Sequence, residues 1–567
     1  MTSSRRTSFA RALAALALVL TMTAGLAPAE AARASFEPAA EYVPISGAGS
    51  SWSANAIDQW RRNVQQYGMR VNYASTGSSD GRNQFRSGTV DFASSEIPYG
   101  LSDGGVVDTP PSRKFAYMPI VAGGTAFMYN LSVGSQRITN LRLSGDTITK
   151  IFTGVITTWD DKRIAADNPG LALPKRRIVP IVRSDGSGST AQFTAWMAAQ
   201  HPSDWDDYCE KAGRPTPCGQ TSNYPVLAGS GFVGQPGSQG VSGYVSQQAN
   251  IGTITYVEYS YALKTGFPVA KVLNKAGYYV EPTASNVAVG LLSARINSDT
   301  KSTAYLTQIL DGVYRSTDPR SYPLSSYSYL IVPTAAEGNF STAKGATLGA
   351  FASYFLCEGQ QQAEALGYSP LPINLVKAGL DQVLRIPGVS STSVDIKKCN
   401  NPTFSSDGTN TLAKNAPQPP ACDKQGATDQ CSSGTGGAGK TQTPTAPGSN
   451  GSDSVGGGIG SGSESTGEGT VPSAGEEILV DAGSGAGQPA SGGVVDSTGT
   501  VVGSSAVCEI DTSSCQTVSA VPMDIEPVAS SWGRSQSMML LSVLILLAVA
   551  LVPPAFARWA RESRSTS

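Results

Sequence analysis

One histidine, His201, stands in a chain of 567 residues. With a single imidazole and no dense acidic cluster, neither a Ser-His-Asp relay nor a two-metal centre can be assembled. No two cysteines stand at C-x-x-C spacing, so the zinc and redox sites built on that motif are excluded as well. Charge is scarce: 15% of residues are charged and the formal net charge is −2. Such a chain has no basic surface for nucleic acid, and any anion it holds must be held by local groups. No cysteine precedes Cys209, which removes the lipidated cysteine that could anchor an exported protein at its N-terminus. These absences point away from an enzyme and from any metal or cofactor, and toward a binding protein, expected to be monomeric, with no nucleic-acid partner.

What is present begins at the two ends. Residues 1–31 carry an early Arg5-Arg6 pair, an apolar run over 12–20 and small residues at Ala27, Ala29 and Ala31, the pattern of a cleavable export signal. The arginine pair leaves general secretion and twin-arginine export both open. Residues 538–557 are uncharged and long enough to cross a membrane as a helix. Arg558, Arg561 and Arg564 follow in the tail 558–567, which places that tail in the cytoplasm and the rest of the chain outside. Eight cysteines in an exported chain imply disulfides. Neighbours in sequence would pair as Cys209/Cys218, Cys357/Cys399, Cys422/Cys431 and Cys508/Cys515, although many other connectivities are possible.

Between the ends, apolar strands alternate with amphipathic helices over 42–400, the pattern of an α/β fold. Over 401–535 the composition turns to Gly, Ser, Thr and Pro, which predicts an unstructured tether with a reach of roughly 60–70 Å. One stretch of it, Gly434-Thr435-Gly436-Gly437-Ala438-Gly439-Lys440-Thr441, fits the nucleotide-binding pattern G-x-x-x-x-G-K-[ST]. No apolar strand precedes it and prolines follow, so the strand and helix that the chemistry needs are missing and a nucleotide site is not expected.

Three junctions carry the functional signal. Strand 42–45 leads into a loop at 47–52 and a helix with Ile57, Trp60 and Val64 on one face. Strand 69–73 leads into 76–81 and a helix bearing Phe85. Strand 178–182 leads into 183–189 and a helix with Phe193, Trp196 and Met197 inward. At each, Gly lets backbone approach a ligand while free N–H groups and the positive helix end point at it. The third adds Arg183, whose planar fork suits a tetrahedral oxyanion.

The segments 47–52, 77–81, 89–96, 151–161, 183–189 and 254–259 resemble, in order and spacing, the phosphate-binding proteins of Pst-type ABC importers. The resemblance covers 43–399. It implies a two-lobed Venus-flytrap fold of the periplasmic-binding-protein type II class, with lobe 1 over 42–120 and 263–400 and lobe 2 over 121–262. The chain would cross between lobes near 121–128 and 256–262. It also implies that inorganic phosphate is held by Ser51, Trp52, Ser78, Glu96, Arg183, Asp185, Ser187, Gly188 and Ser189, and is passed to membrane permease subunits. Two positions depart from the usual pattern: Trp52 stands where Phe is common, and Glu96 where Asp is common. Asp185 is expected to orient Arg183 rather than to touch the anion first.

Overall fold

The computed structural model describes residues 42–443 apart from 104, 303, 391–395, 397–398, 404 and 406–408. The export signal 1–31, the tether from 444, Cys508 and Cys515, the 538–557 span and the 558–567 tail lie outside the described residues. Among the described residues no helix is long and apolar enough to cross a membrane.

Eleven strands form one sheet: β1 Ile45–Gly49, β2 Val71–Ala74, β3 Phe92–Ser95, β4 Phe115–Asn130, β5 Arg142–Leu143, β6 Val179–Arg183, β7 Val233–Gln235, β8 Thr253–Glu258, β9 Val269–Leu273, β10 Tyr279–Val280 and β11 Ser325–Pro333. Its main path runs β7-β6-β8-β4-β11-β3-β1-β2. β1 is parallel to β2 and β3, and β6 is parallel to β7 and β8. Each parallel trio is the core of one half of the molecule. Helices follow the parallel strands: α1 Ala54–Asn63 after β1, α2 Ser78–Ser87 after β2, α3 Gly188–Gln200 after β6 and α4 Gly237–Val245 after β7. Their N-termini therefore gather at the carboxyl ends of the strands, where open α/β sheets bind ligands.

β4 joins the halves. Phe115 to Gly124 pair with β11, and Thr125 to Asn130 pair with β8. Nearly all of its residues are buried, as expected of a strand covered on both faces. The helix faces read from the sequence are inward: Ile57, Trp60, Val64, Phe85, Phe193, Trp196 and Met197 are all buried. Trp60 stacks on Phe355 at 5.0 Å, and Phe193 meets Phe127, Phe152 and Tyr256 at 5.0 to 5.3 Å.

Three expectations are corrected. The first strand is 45–49 rather than 42–45, so Gly47 and Gly49 belong to a strand and not to the loop. Gly47 is required there because a methyl group would stand 2.2 Å from the Phe92 ring on the neighbouring strand. Next, β9 pairs with β4 at Met128 and Phe127 and with β5. Residues 263–280 thus stay with the second half of the sheet, and the chain does not leave that half at 256–262.

The third correction concerns 401–443, expected to be unstructured. This segment packs on both halves. Thr403 Oγ1 donates to Leu371 O at 2.6 Å and Arg320 Nη1 to Ala413 O at 3.1 Å on one side. On the other, Asn140 Nδ2 donates to Cys431 O, Arg142 Nη1 to Cys422 O, both at 2.7 Å, and Lys271 Nζ pairs with Asp423 Oδ2 at 2.6 Å. Low apolar content misled because the segment is held by hydrogen bonds onto a surface already formed, and by a disulfide, rather than by a core of its own. Among the described residues three bridges are present, Cys209–Cys218, Cys357–Cys399 and Cys422–Cys431.

The Lys271–Asp423 pair gives a measure of that attachment, because both side chains are nearly sealed from solvent. Asp423→Ala leaves the Lys271 ammonium buried without a counter-charge and is expected to cost about 3 kcal/mol in urea unfolding of the full chain. A loss below about 1 kcal/mol would show that the pair does not hold the segment.

Candidate functional site

The loop after β1 is short, and the hydroxyls of Ser50 and Ser51 both face inward. Ser50 Oγ donates to Glu96 Oε1 at 2.6 Å and accepts from Trp52 N at 3.0 Å. Ser51 Oγ shares a hydrogen bond with Ser238 Oγ at 2.9 Å and accepts from Ser238 N at 3.0 Å. Tyr261 and Tyr368 hydroxyls donate to Ser51 O at 2.5 Å and Trp52 O at 2.6 Å, so the loop is pinned from behind.

Ser78 begins α2. Its hydroxyl donates to Glu96 Oε2 at 2.8 Å and accepts from Gly188 N, at the start of α3, at 3.1 Å. Two helix N-termini from opposite halves thereby meet at one side chain. The adjacent backbone repeats the contact: Ser79 N donates to Gly186 O at 3.1 Å. Ser187 caps α3 by accepting from Thr190 N at 3.2 Å. Ser189 Oγ is buried and has no hydrogen-bond partner among the described residues, a situation native structures rarely tolerate without a ligand or water.

Arg183 ends β6 with its side chain 2% exposed. Its Nε donates to Asp185 Oδ1 at 2.7 Å, its Nη2 pairs with Asp185 Oδ2, and its Nη1 reaches Ser238 Oγ at 3.4 Å. Asp185 also accepts from Gly237 N at 3.0 Å. Burial pushes the Asp185 carboxyl up, but the hydrogen bonds and charge of Arg183 outweigh it and hold Asp185 below the usual carboxylate range. The guanidinium plane is thus fixed by a side chain two residues on.

Glu96 follows β3 and is 1% exposed. Hydroxyls of Ser50, Ser328 and Ser78 donate to it at 2.6, 2.7 and 2.8 Å. Burial raises its pKa, and those three hydroxyls pull the other way. Ionised, the carboxylate only accepts, and it has room for about four hydrogen bonds. Three are used, two on Oε1 and one on Oε2.

Hydrogen bonds thus form two buried clusters, one joining Ser51 to Arg183 through Ser238 and one joining Glu96 to Ser50, Ser78 and Ser328 and, through Ser78, to Gly188, and the adjacent residues Ser50 and Ser51 bring the two side by side. Two of their members had no counterpart in the sequence reading. Ser238 lies at a fourth strand-to-helix junction, where Gln235-Pro236-Gly237-Ser238 carries the same Gly-Ser signature after a strand of only three residues. Ser328 sits inside β11 and has no local mark.

The nucleotide-like motif at 434–441 is used differently. Thr435 N donates to Thr139 O, Gly437 N to Phe267 O and Gly436 N to Glu281 Oε1. These amides bond to the protein itself, and among the described residues no strand leads into the loop as a nucleotide site requires.

Comparison with known proteins places these features in a family. A family model described as PBP superfamily domain matches residues 27–358. The phosphate-binding protein PstS of Xylella fastidiosa is 33% identical over 344 residues, 60% of this chain and 85% of that protein. PstS of Haemophilus influenzae is 29% identical over 340 residues, 60% of this chain and 92% of that protein. PstS 2 of Mycobacterium tuberculosis is 29% identical over 341 residues, covering 58% and 83%.

Gly188 tests how closely the halves approach. A methyl group there would stand 1.7 Å from Glu96 Oε2 and 2.6 Å from Ser78 Oγ. Gly188→Ala is expected to lower stability in thermal unfolding by about 1–3 kcal/mol. Gly243→Ala, in α4 with nothing within 4 Å of the added carbon, is expected to be neutral or mildly stabilising.

Proposed function

This chain belongs to the PstS phosphate-binding family of the PBP superfamily, and from that premise we propose that it captures inorganic phosphate outside the cytoplasm and delivers it to an ABC importer. It binds and does not catalyse. Export uses residues 1–31, and the 538–557 segment anchors the chain in the membrane beside the permease subunits that receive phosphate.

One observation carries the reading: a guanidinium almost wholly out of water, oriented by Asp185 and linked through Ser238, at the start of α4, to the Ser51 loop of the other half. Such a cation with oriented N–H and hydroxyl donors suits a tetrahedral oxyanion. The anion is held by Arg183, the hydroxyls of Ser51, Ser78, Ser187 and Ser189, and the backbone at Trp52 and Gly188, while Asp185 acts through Arg183. Charge-assisted hydrogen bonds at about 1.5–3 kcal/mol each suffice for micromolar binding, about −8.2 kcal/mol, after ordering losses.

Glu96 supplies the choice among oxyanions. Phosphate at neutral pH still carries a proton and can donate to the unused position on the carboxylate. Sulfate carries none, so two acceptors would face each other at a cost of about 1–3 kcal/mol or more. The cleft opens and closes about β4 at Gly124 and Thr125, where that strand changes partner, and about the segment that follows β10.

Titration calorimetry of the full chain with phosphate and sulfate checks the reading, which fails if neither anion binds. Arg183→Ala is expected to weaken phosphate binding by about 100-fold or more, since among the described residues no other cation bonds to Ser51, Ser78, Glu96 or Ser238. Glu96→Gln acts on selectivity instead: the amide can donate, so the preference for phosphate over sulfate should shrink by about tenfold or more. An Arg183→Ala chain that binds phosphate like wild type would remove the third loop from the site.

A further inference from the structure

A hairpin outside the anion network reaches from one half of the molecule to the other. Its strands are Ser102–Asp103 and Val106–Val107. Asp108 ties it to the first half through a pair with Arg82 of α2 at 2.5 Å. Asp103 faces the second half, where its carboxylate accepts from Arg214 Nη1 at 2.7 Å, Ser222 Oγ at 2.8 Å, Ser222 N at 2.9 Å and Asn223 Nδ2 at 3.1 Å, and from the Thr221 hydroxyl. Five donors converge on one side chain, and every one of them belongs to residues 214–223.

That turn is the backing of the third anion loop. Ser222 O accepts from Ser187 N at 2.9 Å, and Thr221 N donates to Thr194 Oγ1 of α3 at 2.9 Å. Ser222 Oγ also accepts from Ser79 Oγ at 3.2 Å, next to Ser78. Asp103 is thus one residue removed from Ser187, and its five bonds exist only while the halves are together. Burial pushes its carboxyl up, but the hydroxyls of Thr221 and Ser222, with Arg214, pull harder and leave it at about 2, so it is fully ionised at neutral pH.

We propose that Asp103 is a positioning residue: it latches the 221–223 turn across the cleft mouth, fixes Ser187 and the start of α3 through that turn, and so sets how long bound phosphate is retained. The inference rests on the phosphate-capture reading and adds a determinant of release that lies outside the anion contacts. Hydrogen bonds formed only on closure slow opening and leave the encounter of anion with open cleft nearly unchanged.

The test uses the full chain and inorganic phosphate, with association and dissociation rates from stopped-flow tryptophan fluorescence, and melting temperatures with and without phosphate. Asp103→Asn is expected to raise the dissociation rate about tenfold while the association rate stays within about twofold. Its ligand-free melting temperature should match wild type, and the rise caused by phosphate should be smaller. Arg214→Met, which removes a donor from the opposite side, should move the same quantities in the same direction, and it carries the test if Asp103→Asn does not fold. Where the wild type binds phosphate, an unchanged dissociation rate in Asp103→Asn overturns the inference alone. So does an equal fall of both melting temperatures, which would make Asp103 a support of the fold. A wild type that does not bind phosphate overturns the proposed function and this inference with it.

Discussion

A carboxylate taken out of water with no cation bonded to it among the described residues is the constraint on which the site depends. Three serine hydroxyls donate to the Glu96 side chain, and an ion so placed costs several kcal/mol of lost hydration even after relaxation. Three hydrogen bonds to a charged acceptor, at about 1.5–3 kcal/mol each, offset much of this. The donors come from three places that only the fold brings together: the end of β1, the first residue of α2 and the middle of β11. The strand order places them so, with β3 between β1 and β11. Glu96 at the end of β3 is consequently enclosed by its two neighbours and by the helix that follows β2.

This arrangement explains which parts of the site were legible in the sequence. Strand, Gly/Ser loop and helix are contiguous in the chain, so the loops at Ser51, Ser78 and Arg183 to Ser189 left local marks, and the helix faces bearing Trp60, Phe85 and Phe193 left a period. The pairing of Arg183 with Asp185 was legible for the same reason, being two residues apart. Ser328 was not, because nothing in a buried strand distinguishes a serine that meets a carboxylate from one that meets a backbone group. Ser238 was within reach, but its strand is three residues long and only half-buried, too short to give a period. The placement of β1 failed for a related reason: Gly47 was taken as a loop residue, although its lack of a side chain is what lets the strand lie against Phe92.

The C-terminal part of the described chain teaches the opposite lesson about composition. A Gly- and Thr-rich segment cannot form a core, and that much of the expectation for 401–443 stands. It can nevertheless add to one, because each Thr brings a hydroxyl and each Gly an amide unencumbered by a side chain. Thr435 shows the mechanism: its amide and hydroxyl both donate to Thr139 O, and the hydroxyl also accepts from Val269 N. A sequence pattern that elsewhere surrounds a nucleotide here surrounds the protein's own backbone. The matched family region ends at residue 358, so this belt lies beyond it, and it touches both halves of the sheet.

Contacts across the cleft fall into two kinds, and the difference bears on how binding and motion are coupled. β4 changes partner between Gly124 and Thr125, and its ladder on either side stays intact if the halves rotate about that point, since each half keeps its own pairs. The junction is also loosely satisfied: Thr125 Oγ1 and Glu258 Oε1, on directly paired residues, are buried without hydrogen-bond partners among the described residues. Side chains at the mouth are different, for Ser51 with Ser238, Ser78 with Gly188 and Asp103 with the 221–223 turn all lose their bonds when the halves part. The first two are neutral and contribute about 1 kcal/mol each against the competition of water, whereas those to the ionised Asp103 carboxylate are charge-assisted and contribute more. In the proposed function, an anion engaging Arg183 on one half and the Ser78 and Ser51 loops on the other would add the differential affinity that a shift toward the closed state requires. The same groups that would recognise the ligand are therefore the ones that would report its presence to the rest of the molecule.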